Sequence, residues 1–292
     1  MRRRRHTQTM PVSDADLSTL AASHDIINLG MLADSVRREQ HGVRTTFVRV
    51  ADVGSEVGAP MAWPEGTGEV RIVGVPATLA AALARVTEVV FQGKGVPVSA
   101  FSLADLERLA AREQVTLRSI LEDLHAAGLD LVADAPFDRL QNPRRCVEEV
   151  NIGGLRLGRL TIDQMPTADA LALFKQVAEL QYNVAVIRSF APLPRRINPA
   201  VPTTGYDDVK RVALARLTIQ NIPSIQVDWS LYGPKLAQVA LTVGADDVDG
   251  ISPDEDTGQG RRRSPLEEIR RNIRAASQEP VERNGRFEMI SR

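Results

Sequence analysis

The stretch 227-VDWSLYGPKLAQVALTVGADDVDG-250 carries the pattern that decides the fold. Apolar and polar residues alternate up to Asp228, a helical pattern opens at Gly233 and Pro234, and a second short strand ends in acidic residues. A strand, a helix and a strand in this order predict a βαβ unit. The two strands of such a unit are parallel, because the helix returns the chain to the same edge of the sheet.

The same alternation extends along the chain in the amino-terminal direction. Helical patterns separate most of the candidate strands, which cover residues 45–50, 69–74, 96–101, 129–133, 155–162, 183–188, 224–229 and 246–250. Regular alternation of this kind predicts a parallel α/β sheet. Eight units favour a closed (β/α)8 barrel of the TIM type over an open doubly wound sheet.

One connection breaks the alternation. Residues 51–68, ADVGSEVGAPMAWPEGTG, contain four glycines and two prolines without a helical period, so a loop replaces the first crossover helix. Trp63 in this loop is either a lid over the barrel or a buried anchor. We expect one barrel domain with a disordered basic tail, divided as tail 1–12, amino-terminal helices 13–42, barrel 45–250, mobile loop 251–263, and carboxy-terminal helix and tail 264–292.

Composition restricts the class of protein. The 292 residues carry a net charge of −1 and are 43% hydrophobic, values typical of a globular, cytoplasmic protein with no nucleic-acid partner. No apolar run approaches the roughly 18 residues of a membrane span, and the basic start lacks the apolar core of a secretory signal. Cys146, the only cysteine, excludes an intrachain disulfide and a cysteine-ligated iron–sulfur cluster. The scattered histidines predict no metal site.

Strand alternation predicts a polar lumen. In the segment 224–230, one face carries Gln226, Asp228 and Ser230, and this face is the predicted interior of the barrel. The same period places six further side chains inward, namely Arg49, Arg71, Ser99, Arg159, Thr161 and Arg188. Buried guanidiniums require carboxylates, so we expect a small anionic ligand, a carboxylate or a phosphate, to meet at least two of these arginines. The alternative is that each arginine forms a structural ion pair or reaches solvent.

The opening stretch resembles a known enzyme family once its neighbours are included. Together with 210-KRVALARLTIQNIPSIQ-226, 28-NLGMLADSVRREQHG-42 and 279-EPVERNGRF-287, it is similar to the radical S-adenosylmethionine enzymes of the futalosine route to menaquinone. These are aminofutalosine synthase and cyclic dehypoxanthinyl futalosine synthase, with a related deazaflavin synthase. The resemblance places Asp228 and Asp246 at the carboxyl ends of the last two strands as candidate catalytic groups, whereas Asp247 and Asp249 could simply hydrogen-bond a turn.

The sequence departs from this family at the site of its chemistry. Family members carry a CxxxCxxC loop after the first strand, and residues 51–68 contain no cysteine. We therefore expect no iron–sulfur cluster and no cleavage of S-adenosylmethionine. Two hypotheses remain. The first is a cluster-less enzyme that performs a lyase, hydrolase or isomerase step on a carboxylated or nucleoside intermediate of menaquinone synthesis. The second is a pseudoenzyme that acts as a binding or scaffolding subunit, as a homodimer or with a cluster-bearing paralogue.

Overall fold

The computed structural model describes residues 13–164, 170–196, 203–254 and 265–290. The predicted basic tail and residues 255–263 of the predicted mobile loop lie outside the described residues. The described helices are α1 (Asp14–Ala22), α2 (Ile26–His41), α3 (Leu79–Gly93), α4 (Leu103–Glu113), α5 (Leu117–Ala126), α6 (Pro143–Ile152), α7 (Ala170–Val184), α8 (Gly205–Thr218), α9 (Trp229–Leu241) and α10 (Pro265–Ala275). None of these described helices has the length and apolarity needed to cross a membrane.

The strands form one closed parallel barrel. They are β1 (Arg44–Gly54), β2 (Glu69–Val73), β3 (Val98–Ser102), β4 (Leu131–Pro136), β5 (Arg156–Leu157), β6 (Leu160–Ile162), β7 (Ser189–Pro194), β8 (Ser224–Asp228), β9 (Asp247–Ile251) and β10 (Glu279–Glu282). Neighbouring strands pair in parallel from β1 to β9, and a β1–β9 pairing closes the ring. The predicted (β/α)8 barrel is confirmed, with β5 and β6 as two pieces of its fifth strand.

The interruption between β5 and β6 has a steric origin. β5 pairs with the start of β4 and β6 with its end. Gly158 lies between the two pieces, and a Cβ atom at this position would approach the carbonyl oxygen of Ala133 to 2.8 Å. Only glycine permits this close approach of two backbones, so the fifth strand bends here without leaving the sheet.

The first connection is a loop, as predicted, but it is shorter than expected. β1 continues to Gly54, so the loop covers residues 55–68 and no helix intervenes before β2 in this described stretch. Arg85 of α3 holds the loop, because its guanidinium donates to the carbonyl oxygens of Gly54 (2.8 Å) and Ala59 (3.3 Å). Trp63 is half-buried and packs against the hydrophobic core.

The core lies between the sheet and the surrounding helices, and the two amino-terminal helices complete it. Leu29, Ala33 and Val36 of α2 are buried against the rest of the core. They recur at the spacing that places residues on one face of a helix. α2 packs on α8, and Asp25 caps its start by accepting a hydrogen bond from the Asn28 backbone N–H.

β10 lies between β1 and β2 at the end of the barrel where β1 begins. Residues 44–47 of β1 pair with β10, whereas residues 50–54 pair with β2. Beyond β10, the chain crosses the end of the barrel where the strands begin, which we call the amino-terminal mouth. Gly285 donates its backbone N–H to Gly68 just before β2, and the Arg286 guanidinium pairs with Asp130 just before β4.

Candidate functional site

Two cavities lie at opposite ends of the barrel. A cavity of about 240 Å³ opens where the strands end, which we call the carboxyl-terminal mouth, and its charged lining includes Asp52, Asp134, Arg159, Arg195 and Asp228. A larger cavity of about 730 Å³ lies at the amino-terminal mouth. Barrels of this type carry their active sites at the carboxyl-terminal face. The smaller cavity is therefore the candidate active site in spite of its size.

Asp228 is fixed by its position at the end of β8. Its Oδ1 accepts hydrogen bonds from the Ser230 hydroxyl (2.7 Å) and from the Leu231 backbone N–H (3.0 Å), so it caps the first turn of α9. Arg195 donates to the other oxygen at 3.2 Å. Burial alone would raise the pKa of Asp228, but the nearby Arg159 and the Ser230 hydrogen bond lower this pKa below its ordinary value. Asp228 is therefore a carboxylate at neutral pH.

α9 is interrupted near its start. Gly233 has a φ of 76° and a ψ of 170°, and Pro234 follows it. Proline disfavours a helical residue before it, so the turn after Asp228 is separated from the regular part of α9. Gly250 of β9 lies beside this turn, and a Cβ there would come within 3.0 Å of both Asp228 and Ser230. The glycine leaves room for the carboxylate at the mouth.

Below this mouth, an ion-pair layer fills the lumen. Arg71 donates to Glu69 Oε1 (2.8 and 2.9 Å) and to both oxygens of Asp249 (3.0 Å each). The Ser99 hydroxyl donates to Glu69 Oε1 at 2.5 Å. Burial would raise the pKa of Glu69, but Arg71 and then Ser99 lower it. The protein itself thus neutralises Arg71.

Arg159 lies between this layer and the cavity. It is 4% exposed and forms an ion pair with Asp249, but its Nε atom has no hydrogen-bond partner within the described chain. Burial, followed by the proximity of Arg71 and Arg195, lowers the pKa of this guanidinium to about 9. An unsatisfied donor on a buried cation is costly, so Arg159 is prepared for a further acceptor.

A lower layer closes the lumen around Asp247. The Arg283 guanidinium donates to both oxygens at 2.7 Å, while Gln226 and Thr46 donate at 2.6 and 2.5 Å. Burial would raise the pKa of Asp247, but Arg283 and these hydrogen bonds lower it. A carboxylate with this many donors belongs to the frame of the barrel.

Asp52, at the end of β1, has the opposite electrostatic character from Asp228. It lines the same cavity, and desolvation raises its pKa above the ordinary value although Arg71 and Arg159 oppose the shift. Two carboxyl groups at one mouth therefore have pKa values displaced in opposite directions. Such a pair is a common arrangement of a proton donor and a proton acceptor.

Most of the predicted site residues share the lumen. Arg71, Ser99 and Gln226 belong to its ion-pair layers, and Asp228 and Ser230 lie at the carboxyl-terminal mouth. Thr161 is fully buried between the core residues Leu160 and Ile162, and its hydroxyl has no hydrogen-bond partner among the residues described. Thr161 is two residues after Arg159, so strand alternation places both side chains on the same face, as predicted.

Three predicted placements are wrong. Arg49 lies on the outer face of β1, opposite in alternation to Asp52, where its Nε donates to Glu282 of β10 at 2.8 Å. Asp246 precedes β9 at its amino-terminal end, where it accepts from the Arg216 guanidinium and from the Ile225 backbone N–H. It therefore anchors α8 to the sheet and is far from the carboxyl-terminal mouth.

Arg188 is the third residue whose predicted placement is wrong. It is exposed and precedes β7, so it lines the amino-terminal cavity instead of the lumen. The strand predicted at 183–188 begins six residues later, at Ser189. Helix α7 runs to Val184 and so occupies the first two residues of the predicted strand, and the Gln181 side chain then bonds both the N–H and the carbonyl of Ile187 in the turn that follows.

Several charged groups of the site were missed. They are Asp52, Glu69, Asp134, Arg195 and Arg283, whereas Asp249 was considered only as a residue of a turn. Glu69 and Arg71 are two residues apart on β2, and Asp247 and Asp249 are two apart on β9, so strand alternation could have placed all four inward. Arg195 follows a strand whose position was misjudged. In the described lumen and mouth, carboxylates outnumber guanidiniums, so the lumen is not the arginine-rich cavity expected.

The residues present do not fit the iron–sulfur cluster of the resembling family. The loop at 55–68 supplies no thiol. Cys146 lies in α6, is 3% exposed and donates to Glu107 Oε1 at 3.4 Å. Burial, and then the charge of Glu107, raise the pKa of this thiol to about 12. Within the described parts of the chain, no three His, Cys, Asp or Glu side chains are grouped to hold a metal ion.

Comparisons with known proteins agree with this architecture. Two solved structures share the fold: methylornithine synthase (PylB), with a TM-score of 0.66 over 93% of this chain and 95% of that one, and the [FeFe]-hydrogenase maturase HydG, with 0.64 over 91% and 72%. Their sequences are 13% and 11% identical to this chain, so the likeness concerns the fold alone.

Sequence relatives are more informative. Aminodeoxyfutalosine synthase of Thermus thermophilus is 27% identical over 230 residues, which are 67% of this chain and 61% of that protein. Cyclic dehypoxanthine futalosine synthase of Streptomyces coelicolor is 24% identical over 218 residues, 66% of this chain and 55% of the relative. The chain thus spans less than two thirds of the length of these relatives.

The carboxy-terminal part gives a family match. Residues 188–292 match the family described as the CofH/MqnC C-terminal region, and they contain β7 to β10 with Arg195, Asp228 and the Asp247–Arg283 pair. The resemblance noted in the sequence is confirmed: this chain is similar in sequence to aminodeoxyfutalosine synthase and cyclic dehypoxanthine futalosine synthase, the enzymes of the futalosine pathway.

Proposed function

We propose that this chain binds a small carboxylated or nucleoside metabolite of the futalosine pathway at its carboxyl-terminal mouth and acts on it without an iron–sulfur cluster. The observation that carries the proposal is Arg159, a buried guanidinium with an unsatisfied Nε beside the cavity. A ligand carboxylate supplies the missing acceptor, and Arg195, 31% exposed at the rim, is placed to assist.

The acidic residues of the lining indicate which further groups the ligand carries besides its carboxylate. Asp52 and Asp134 face the same cavity, and Asp134 lies 3.6 Å from Arg195. Carboxylates accept hydrogen bonds from hydroxyl and amino groups, so a ligand that carries both a carboxylate and several such donors is matched on both sides. Two relatives, aminodeoxyfutalosine synthase and cyclic dehypoxanthine futalosine synthase, take their names from futalosine-type nucleosides, which carry such donor groups.

The proposed chemistry is acid–base catalysis. Asp52, whose pKa is raised, donates a proton, and Asp228, whose pKa is lowered, accepts one. This division supports a lyase or isomerase step on a carboxylated substrate. Arg159 stabilises negative charge that develops on the substrate, since its guanidinium is almost completely buried and lines the cavity.

Ligand-induced stabilisation tests the proposal. Aminofutalosine, inosine and an aromatic dicarboxylate are each added, and the melting temperature is followed, because a ligand that binds only the folded state raises it. We expect Arg195→Gln to abolish the shift. Arg196→Gln is the matched control, since Arg196 is exposed and pairs with Asp163 outside the cavity. The absence of a shift with all three ligands would reject the binding site.

A scaffolding role is the second candidate. The observation in its favour is that Arg71 is fully paired by Glu69 and Asp249, so that much of the lumen is filled by the protein's own charges. A pseudoenzyme of this kind would bind a cluster-bearing paralogue or a second copy of itself. Co-purification of such a partner, together with no response to any of the three ligands, would favour this role.

A further inference from the structure

The amino-terminal mouth of the barrel is only half covered. The tail that follows β10 crosses the starts of β2 and β4 through Gly285 and Arg286. The starts of β1, β5 and β8 stay open beneath it, and the cavity of about 730 Å³ lies there. This volume falls within the roughly 300–1,000 Å³ of pockets that hold small organic molecules.

One wall of this cavity is apolar. Helix α6 contributes Val147 and Val150, and the tail contributes Phe287 and Met289. Phe287 is held in place because the Arg283 guanidinium lies 4.0 Å from the centroid of its ring. Arg283 is in turn fixed by Asp247, so the aromatic wall is connected to the buried frame of the barrel.

The rim of the cavity is cationic. Arg44, Arg156 and Arg188 line it, all three are exposed, and none of their guanidiniums has an ion pair or hydrogen bond to another described residue. The one carboxylate in the lining, Asp246, is 2% exposed and is paired with Arg216. The cavity therefore presents free positive charge with no negative charge available to neutralise it.

These features determine a class of ligand. Guanidiniums recognise carboxylates and sulfonates through paired, charge-assisted hydrogen bonds, whereas the apolar wall accommodates a ring. Arg156 and Arg188 stand at neighbouring strands, because β5 and β6 are the fifth strand and β7 is the next. Arg44 stands across the mouth on β1. Arg156 and Arg188 would thus bind the anionic group of a ligand on the β5–β7 side of the mouth. The apolar body of the ligand would pack against α6 and the tail.

We propose that the amino-terminal mouth is a second binding site, which takes a small organic anion with an apolar, ring-containing body. This site goes beyond the proposed function, because it lies at the opposite end of the barrel from Asp228 and shares no lining residue with that cavity. The amino-terminal face of such barrels normally serves stability, so this site binds without catalysis. The ligand bridges the barrel wall and the tail, and its binding stabilises the closed barrel.

Two fluorescent probes test the charge requirement. Anilinonaphthalene sulfonate is an anion with an apolar body, and phenylnaphthylamine is nearly the same body without the charge. We expect the sulfonate to bind the native protein. In the double variant Arg156→Gln, Arg188→Gln, we expect the affinity for the sulfonate to fall by about tenfold or more, because charge-assisted hydrogen bonds are lost. The matched control is Arg271→Gln, since Arg271 is exposed on α10 away from the cavity.

A variant that fills the cavity gives an independent measurement. Val186 is half-buried and lines the cavity, so Val186→Trp should abolish sulfonate binding while far-ultraviolet circular dichroism stays native. Arg195→Gln, at the other mouth, should leave sulfonate binding unchanged, which separates this site from the proposed function. Equal affinity for the charged and uncharged probes, or unchanged sulfonate affinity in the Arg156 and Arg188 double variant, would overturn the proposal.

Discussion

Arg283 donates two hydrogen bonds of 2.7 Å to the carboxylate of Asp247, and both side chains are almost completely buried at the base of the lumen. The pair joins the tail after β10 to the start of β9. It therefore holds together two segments that close the barrel from opposite sides of β1.

Loss of Arg283 is expected to destabilise the fold strongly. Arg283→Ala leaves Asp247 as a buried carboxylate without its cation, which typically costs about 3–5 kcal/mol in unfolding free energy. Urea denaturation measures the change. Arg286→Ala is the control from the same tail, because the Arg286–Asp130 pair is partly exposed and such pairs contribute about 0–1 kcal/mol. Equal effects of both variants would contradict the structural role of the buried pair.

The acid stability of the protein should depend on Asp247. Its folded-state pKa is lowered, so its contribution to stability is present above the unfolded pKa of about 4 and is lost as the pH falls through the folded pKa. We expect Asp247→Asn to be less stable than the parent at pH 7 and to show a flatter loss of stability below about pH 4. If the free energy of unfolding of this variant fell with pH below about 4 as steeply as that of the parent, the acid sensitivity would belong to other carboxylates.

Asp52 should behave in the opposite way. Its folded-state pKa is raised by desolvation, so ionisation of this group opposes folding as the pH rises from the unfolded pKa through the folded one. Asp52→Asn is expected to raise the melting temperature at pH 7 and to have little effect at pH 3, where both states are protonated. The same variant should reduce any turnover that needs Asp52 as a proton donor. A lower melting temperature at pH 7 would contradict this assignment.

Cys146 is expected to be chemically silent in the native protein. Burial and Glu107 raise the pKa of its thiol to about 12, and the thiolate is the reactive form. A disulfide reagent at pH 8 should therefore modify the thiol only after denaturation. Anaerobic incubation with iron and sulfide should give no four-iron absorption band. Rapid native labelling, or a reconstituted cluster, would contradict the structure of this site.

Much of the barrel could be predicted from hydrophobic alternation alone, and the main exception has a physical cause. β7 reads SFAPLP, and prolines lack the N–H that a central strand uses, so the pattern argues against a strand there. The structure tolerates Pro192 and Pro194 because β7 pairs with β8 only at Ser189 and Phe190, and because the register with β6 shifts before Pro194, where the Arg195 N–H donates to Ile162. The preceding NVAVIR segment was more strand-like in sequence, but α7 extends into it.

The candidate site was predicted less completely than the fold. Alternation along β2, β3 and β8 placed Arg71, Ser99 and Gln226 correctly inside the barrel. It could not reveal that the partner of Arg71 would be Asp249, because that contact joins residues 178 positions apart. The prediction for Asp246 failed for a different reason: β9 begins at Asp247, so Asp246 lies at the amino-terminal end of the strand and not at its carboxyl end.

The pairing of β10 with β1 has a consequence for biosynthesis. Arg49 and Glu282 meet across 233 positions, so the lower part of the β1 seam can form only after almost all of the described chain has left the ribosome. Contacts this remote in sequence slow folding, because the chain must search a long loop before it gains them. A nascent chain that has completed β9 would thus expose one side of β1 to other strands, and chaperone binding is expected during that interval.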